Sequence, residues 1–194
     1  MKKLLLFALL AVSITVTAQD SELKTIKLNA PDLQRGETVM QAFSKRKSTR
    51  VFSEKELSLQ DLSDLLWAAN GINRPELGRR TAPSAMNMQD IQIYVCTKEG
   101  SYLYDAKASE LQPVSTGDVR PLKAPVCLIL VSDTTEEWGA IDGGIVSQNI
   151  SIFCAGTGLA TVARGTMNID ELKSALKLAD SQQLILNHPV GYPQ

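Results

Sequence analysis

Arg46-Lys47-Ser48-Thr49-Arg50-Val51-Phe52 and, about thirty-five residues on, Pro83-Ser84-Ala85-Met86-Asn87-Met88-Gln89 are the stretches on which the fold turns. The first sets Arg46, Lys47 and Arg50 beside the hydroxyls of Ser48 and Thr49, ahead of an apolar pair. Guanidinium forks grip phosphate oxygens bidentately, and hydroxyls suit a polyol attached to the phosphate. The second stretch sets small and amide side chains in a Pro-led loop, which suits the edge of a planar heterocycle. Taken singly, the first reads sooner as a solvated basic turn and the second as an ordinary loop before a strand.

Outward from these segments, periodicity assigns the elements. Glu37 to Lys45 predicts a short helix with Val39, Met40 and Phe43 on one face, delivering Arg46–Arg50 at its C-terminal end. Ser58 and Asp61 form a capping pattern ahead of Leu59, Leu62, Leu65, Leu66 and Ala69, and Gly71 supplies a stop. Residues 72–82, rich in Gly, Pro and Arg, read as loop. Ile91, Ile93 and Val95 alternate with Gln92, Tyr94 and Cys96, a strand signal, and Ser101 to Asp105 returns as a second strand. Ala106 to Leu111 reads as one more helix, and 112–124 as loop.

Pro125 to Val131 is a continuous apolar run, as expected of a central buried strand. Ile141 to Leu159 predicts a long helix, apolar on most sides and so suited to a core or a subunit interface. Ala160 to Ala163 is a short strand, Asn168 with Glu171 caps a helix to about Leu178, and Gln183 to Asn187 closes the set. The expected fold is α+β: a sandwich of helices around a largely antiparallel central sheet, in one domain over 19–194.

At the N-terminus, Lys2 and Lys3 precede an apolar run from Leu4 to Val16, and Val16-Thr17-Ala18 offers small residues for cleavage. This is the pattern of a secretory signal peptide over 1–18, cut near Ala18. The run is short of the ~20 residues that span a bilayer, and no Cys follows it for lipidation. The expectation is an exported, periplasmic protein without a stable membrane anchor after cleavage. A cytoplasmic protein with a signal-like N-terminus is the weaker alternative. Cleavage leaves 176 residues with a formal charge of −3, enough for one domain with a proper core. There is no basic surplus to suggest nucleic acid as a partner. Positive charge gathers instead at Arg35, Lys45, Arg46, Lys47 and Arg50.

Common catalytic patterns are missing. Cys96, Cys127 and Cys154 show neither CxxC nor metal-type spacing, and their apolar surroundings predict buried thiols. A Cys96–Cys127 disulfide stays open in an oxidising compartment. His188 is the only histidine and has no Cys or His neighbour, so no metal centre is expected. One histidine also argues against the usual hydrolase triads. Gly156-x-Gly158 ends a helix, so it is not a dinucleotide fingerprint. Asp142, near Asp133, Glu136 and Glu137, reads as part of a charged loop capping a helix. What remains is binding of an anionic cofactor.

Order and context add to this. Arg46-x-Ser48-x-Arg50-x-Phe52 after a short helix is followed by Leu65-Leu66-Trp67-Ala68-Ala69-Asn70-Gly71, then Pro83-Ser84-x-x-Asn87-x-Gln89 and a strand. An apolar helix containing Gln148-Asn149 then ends in Gly158-Leu159, and Gly191-Tyr192-Pro193 closes the chain. This series resembles the nitroreductase family over nearly the whole chain beyond the signal. The resemblance implies an intertwined homodimer with two FMN sites at the interface. It implies that Arg46, Lys47, Ser48 and Arg50 hold the FMN phosphate and ribityl chain. Pro83, Ser84, Ala85 and Asn87 would line the flavin contributed by the other subunit, and the Ala163-Arg164-Gly165 turn would lie near a flavin ring or phosphate.

The implied activity is hydride or electron transfer through flavin N5, to or from a small organic substrate of nitroaromatic or quinone type. The family's usual donor is NAD(P)H, which an exported protein is not expected to meet. Asp90 follows Gln89 where the family often has Pro-Trp. That departure supports a rival reading, a binding protein of the same fold with a lost or altered cofactor and no redox activity.

Overall fold

The computed structural model describes residues 22–194, so the expected signal peptide lies outside the described residues. A seven-stranded sheet forms the middle of the molecule. Its strands are β1 (Ile26–Lys27), β4 (Ile91–Cys96), β5 (Gly100–Asp105), β6 (Glu110–Thr116), β7 (Val126–Ser132), β8 (Ala160–Thr161) and β9 (Gln183–Gly191). They lie in the order β1-β6-β5-β4-β7-β9-β8, and every neighbouring pair is antiparallel. A separate ribbon joins β2 (Ile72–Arg74) to β3 (Arg79–Arg80).

The helices are α1 (Val39–Lys45), α2 (Leu59–Asn70), α3 (Glu137–Thr157) and α4 (Ile169–Ala175). Alternation along the two central strands fixes which face each helix covers. Ile93, Val95, Leu128 and Leu130 point to one side, where Leu62, Leu65, Leu66, Val146 and Ile150 from α2 and α3 meet them. Tyr94, Cys96, Ile129 and Val131 point to the other side, against Leu172 and Leu176 at α4. β7 is buried throughout because both of its faces are covered.

Local chemistry sets the helix ends. Ser58 Oγ accepts the Asp61 N–H at the start of α2, and Asn168 accepts the Glu171 N–H at the start of α4. Thr38 and Gln41 close a full capping box on α1. α3 stops at Gly158, whose φ of 76° is left-handed.

Several expectations need correction. Residues 106–111 are not helical. Asp105 Oδ1 accepts the N–H groups of Lys107 and Ala108, Ser109 takes φ 53°, and the chain returns as β6. The expected loop over 112–124 is therefore strand as far as Thr116, paired with β5 through an irregularity at Ser101/Tyr102. The expected loop over 72–82 contains the β2–β3 ribbon. α3 begins at Glu137, before Ile141, and α4 ends at Ala175. β9 runs on to Gly191.

On α1, Ala42 is the buried residue, while Val39, Met40 and Phe43 are 64%, 76% and 52% exposed. A Cβ on Gly156 of α3 would lie 3.2 Å from that of Ala42, so the close approach of the two helices leaves the apolar face of α1 turned outward. Cys96 and Cys127 face each other across β4 and β7 as free thiols. No helix among the described residues is long and apolar enough to cross a membrane.

Candidate cofactor-binding site

The Arg46–Phe52 segment leaves α1 in extended backbone, Arg46 having φ −56° and ψ 120°. Thr49 N–H donates to Thr161 O at 2.9 Å, Ser53 N–H donates to Tyr192 O at 2.9 Å, and Phe52 bridges Pro193. The segment is thus stitched to β8 and to the Gly-Tyr-Pro end.

Extended chain alternates its side chains. Lys45, Lys47 and Thr49 line a cavity of about 360 Å³ against Cys154 and Gly158 of α3 and its cap. Arg46, Ser48 and Arg50, all exposed, fall by that alternation on the other side. Lys47 thus belongs to the cavity wall, whereas Arg46, Ser48 and Arg50 lie outside its lining. Among the described residues none of these three cations forms an ion pair.

The Pro83–Gln89 loop sits near the other end of α3. Ala85–Asn87 form one 3₁₀ turn, and Met86, Asn87 and Gln89 take φ of 49°, 57° and 53°. The left-handed backbone is held by side chains. Ser84 Oγ accepts the Gln89 N–H at 2.9 Å, and Gln89 Nε2 donates to Gly78 O at 2.9 Å. Asp142 accepts the Ala85 N–H through both carboxylate oxygens, at 2.9 and 3.1 Å. Asn87 is left exposed, with its Oδ1 3.3 Å from Gln89 Nε2.

Asp142 is therefore no part of a charged capping loop. It lies within α3, 2% exposed, beside Asp90 at 6%. Asp90 Oδ2 accepts from Ser132 Oγ at 2.7 Å, but Asp90 Oδ1 is buried without a partner unless the two carboxyls share a proton. Burial raises the Asp142 pKa, the Ala85 N–H opposes that, and the neighbouring Asp90 carboxyl raises it further. Sequence reasoning missed this anchor because Ala85 and Asp142 are far apart in the chain.

Ala163 and Gly165 are exposed beyond β8. Arg164 is engaged elsewhere: its Nη1 donates to Asn187 Oδ1 at 3.3 Å and to Pro121 O at 3.4 Å. No described contact joins it to Arg46 or Arg50. No group of His, Cys, Asp and Glu able to hold a metal ion occurs among the described residues. Burial pushes the Cys96 thiol up to about 12 and raises Cys127 and Cys154 as well, so none offers a ready thiolate.

Within the chain the two segments lie toward opposite ends of α3. Asp142 and Cys154 are separated by about 18 Å along the helix at ~1.5 Å per residue. The exposed apolar side chains Val39, Met40 and Phe43 on α1 belong to the Arg46 end, and Met86 belongs to the loop itself.

Comparison with known proteins places this geometry. The model of the nitroreductase family matches residues 43–192. A nitroreductase-like protein of Methanocaldococcus jannaschii is 28% identical, with 86% of this chain and 96% of the relative covered. A crystal structure of a nitroreductase-like protein from Ralstonia eutropha JMP134 superposes with a TM-score of 0.84 at 31% identity, covering 92% of each chain. The fold also matches an iodotyrosine deiodinase solved with FMN and 3-iodo-L-tyrosine, with a TM-score of 0.57 at 16% identity, over 81% of this chain and 90% of the other.

Proposed function

The chain belongs to the nitroreductase family of oxidoreductases, and from that premise we propose that it is an exported, homodimeric, FMN-dependent enzyme acting on a small organic substrate of nitroaromatic or quinone type. One observation carries the cofactor assignment. Arg46, Ser48 and Arg50 are all exposed, and neither arginine has an ion pair among the described residues. Two guanidinium forks without carboxylate partners fit a phosphate, and the hydroxyl between them fits the sugar alcohol next to it.

The residues present fit the group. Arg46 and Arg50 would neutralise the phosphate, and Ser48 would hydrogen-bond the ribityl chain. Pro83, Ser84, Ala85 and the exposed Asn87 amide would take the ring edge. When bound, FMN supplies the centre that accepts and gives up hydride or electrons. The chain's own part is to orient and to exclude water. Asp142 holds the loop by the Ala85 N–H, so the Asn87 amide meets the ring from fixed backbone. No protein acid or base is demanded by such a division of labour.

Separation of the two segments along α3 supports a site completed by a second copy, and the exposed apolar face of α1 supports burial in that dimer. Export, read from residues 1–18, removes the protein from the family's usual NAD(P)H donor. The reductant is then of another class, or the reaction runs as an oxidation of the organic substrate. The rival reading, a binding protein without redox activity, is favoured by Arg164, whose guanidinium is held by Asn187 and Pro121 and adds nothing to the phosphate site.

An absorbance spectrum of the purified protein, with FMN added and then desalted, tests the reading. A retained flavin spectrum is expected, lost in the Arg46→Ala/Arg50→Ala double variant with the fold intact. A wild-type protein that keeps no flavin would favour the binding protein. Normal retention by the double variant would sink the site assignment.

A further inference from the structure

Beside the Pro83–Asn87 loop lies a second concentration of positive charge. β2 and β3 pair Ile72 with Arg80 and Arg74 with Arg79, with Gly78 turning the ribbon at φ 60°. The ribbon thereby brings three arginines to the wall of one open basin of about 560 Å³, within the range usual for small-molecule sites. Ala82, Pro83, Ser84, Met86 and Asn87 line the rest of the basin, and Pro83, Ser84 and Asn87 among them are assigned above to the ring edge.

None of the three arginines has an ion pair among the described residues. Asp105, whose charge is felt at Arg80, is taken up by Lys107 N–H, Ala108 N–H and Gln112 Nε2. Arg80 is nevertheless fixed in place. Its Nε donates to Gln89 Oε1 at 2.9 Å and its Nη1 to Asn70 O at 2.8 Å. Its Nη2 is left over, as is Nη1 of Arg74, whose Nη2 reaches Arg80 O at 3.4 Å. Arg79 makes no side-chain hydrogen bond among the described residues. Burial pulls the Arg80 pKa below the ordinary guanidinium value, a cost that an anion in the basin would relieve.

We propose that this basin is the substrate site and selects organic anions: Arg74, Arg79 and Arg80 hold a carboxylate of the substrate while its reactive part lies against the Pro83–Asn87 loop. This rests on the flavin reading for the reactive part, but not for the anion. The cofactor phosphate is already assigned to Arg46 and Arg50, which leaves the arginines of the basin for a different anion. A preorganised fork loses little freedom on binding, and charge-assisted hydrogen bonds discriminate strongly against an uncharged analogue.

Binding calorimetry of the full chain, with and without FMN, compares 4-nitrobenzoate with the neutral 4-nitrobenzamide. The expected preference for the carboxylate is about tenfold or more, shrinking as ionic strength rises from about 0.05 to about 0.5 M. Arg74→Gln with Arg79→Gln, which leaves Arg80 in place for the fold and as one remaining cation, is expected to cut the preference about threefold or more while flavin retention is unchanged. Equal affinity for the two compounds, or an unchanged preference in the double variant, overturns the proposal. If the double variant instead weakens NADPH and inorganic phosphate but not 4-nitrobenzoate, the anion belongs to an electron donor and the substrate assignment is wrong. A chain that keeps no flavin yet prefers 4-nitrobenzoate would sink the oxidoreductase reading and leave the anion site standing.

Discussion

Asp142, from within α3, holds the Ala85 backbone N–H with both carboxylate oxygens while its other flank faces the buried Asp90. One residue therefore couples the Pro83–Gln89 loop to the helix core and to a second carboxyl. Its raised pKa means that the folded state favours the protonated form. Stability from this pair is full below the ordinary value of 3.8 and is lost as pH rises through the raised one. Asp142→Asn keeps an acceptor for Ala85 and offers an amide donor to Asp90 Oδ1. Relative to wild type it is expected to gain stability on going from pH 4 to pH 8 and to retain flavin. Asp142→Ala is expected to lose flavin affinity about tenfold, the scale of one charge-assisted hydrogen bond. Denaturant midpoints across pH decide it: parallel profiles for wild type and the Asn variant would remove the shared-proton account.

His188 sits fully buried between α3 and β8. Thr161 donates its hydroxyl to Pro189 O at 2.9 Å, so it accepts from His188 Nδ1 at 3.2 Å, and Ser147 Oγ donates to Nε2 at 2.8 Å. The imidazole is thereby satisfied only when neutral. Burial lowers its pKa from 6.5 to about 4. A depressed value gives stability that is whole above 6.5 and lost as pH falls through about 4. Between pH 7 and pH 5 this amounts to about 2 kcal/mol, at about 1.4 kcal/mol per unit. His188→Gln is expected to flatten that limb. A variant whose stability falls as steeply as the wild type would place the acid sensitivity elsewhere.

Arg35 ties the chain before α1 to α2, meeting Asp61 and donating from Nη1 to Asp64 Oδ2 at 2.9 Å. Tyr192 of the closing Gly-Tyr-Pro donates to the same Asp61, and Ser58 Oγ donates to it at 2.6 Å. Burial works against the Asp61 charge, but the hydrogen bonds from Ser58, Tyr192 and Arg35 win and hold its pKa at about 2. Stability from Asp61 is present above 3.8 and lost as pH falls through about 2. Arg35→Ala leaves the largely buried Asp61 and Asp64 carboxylates without their shared cation and is expected to cost about 3 kcal/mol at neutral pH. The loss should shrink below pH 3. A cost that is the same at pH 7 and pH 2.5 would mean that Arg35 acts through packing on Phe153 instead.

The central sheet and α2 were legible because each carries a local signal: alternation over Ile91–Cys96, an unbroken apolar run over Val126–Val131, a cap at Ser58. β6 was not, because Ala106 to Leu111 is rich in helix formers and only the Asp105 turn and pairing with β5 override them. The cations at Arg46 and Arg50 could be read from composition, but their separation from Lys47 depends on where the extended backbone leaves α1. That Arg164 is held by Asn187, and that Asp142 anchors Ala85, are contacts between distant positions with no local pattern to announce them.

Gly191 shows how tightly the closing motif is packed against the Arg46–Phe52 segment. A Cβ there would lie 2.6 Å from Pro125 Cδ and 3.3 Å from Phe52 Cβ. Proline's ring cannot swing away, so the strand carrying Gly191 or the Phe52 segment has to move. Phe52 bridges Pro193, and Ser53 N–H donates to Tyr192 O, so the shift would travel back toward Arg50. Gly191→Ala is expected to cost about 1–3 kcal/mol, as for other overpacked sites. It is also expected to weaken flavin retention, although the substituted residue lies outside the expected cofactor contacts. The two effects separate in a titration of FMN into folded variant below its unfolding temperature. Lost stability with wild-type FMN affinity would show that Arg46 and Arg50 are positioned by α1 and β8 alone, and that the glycine serves only the contact with Pro125.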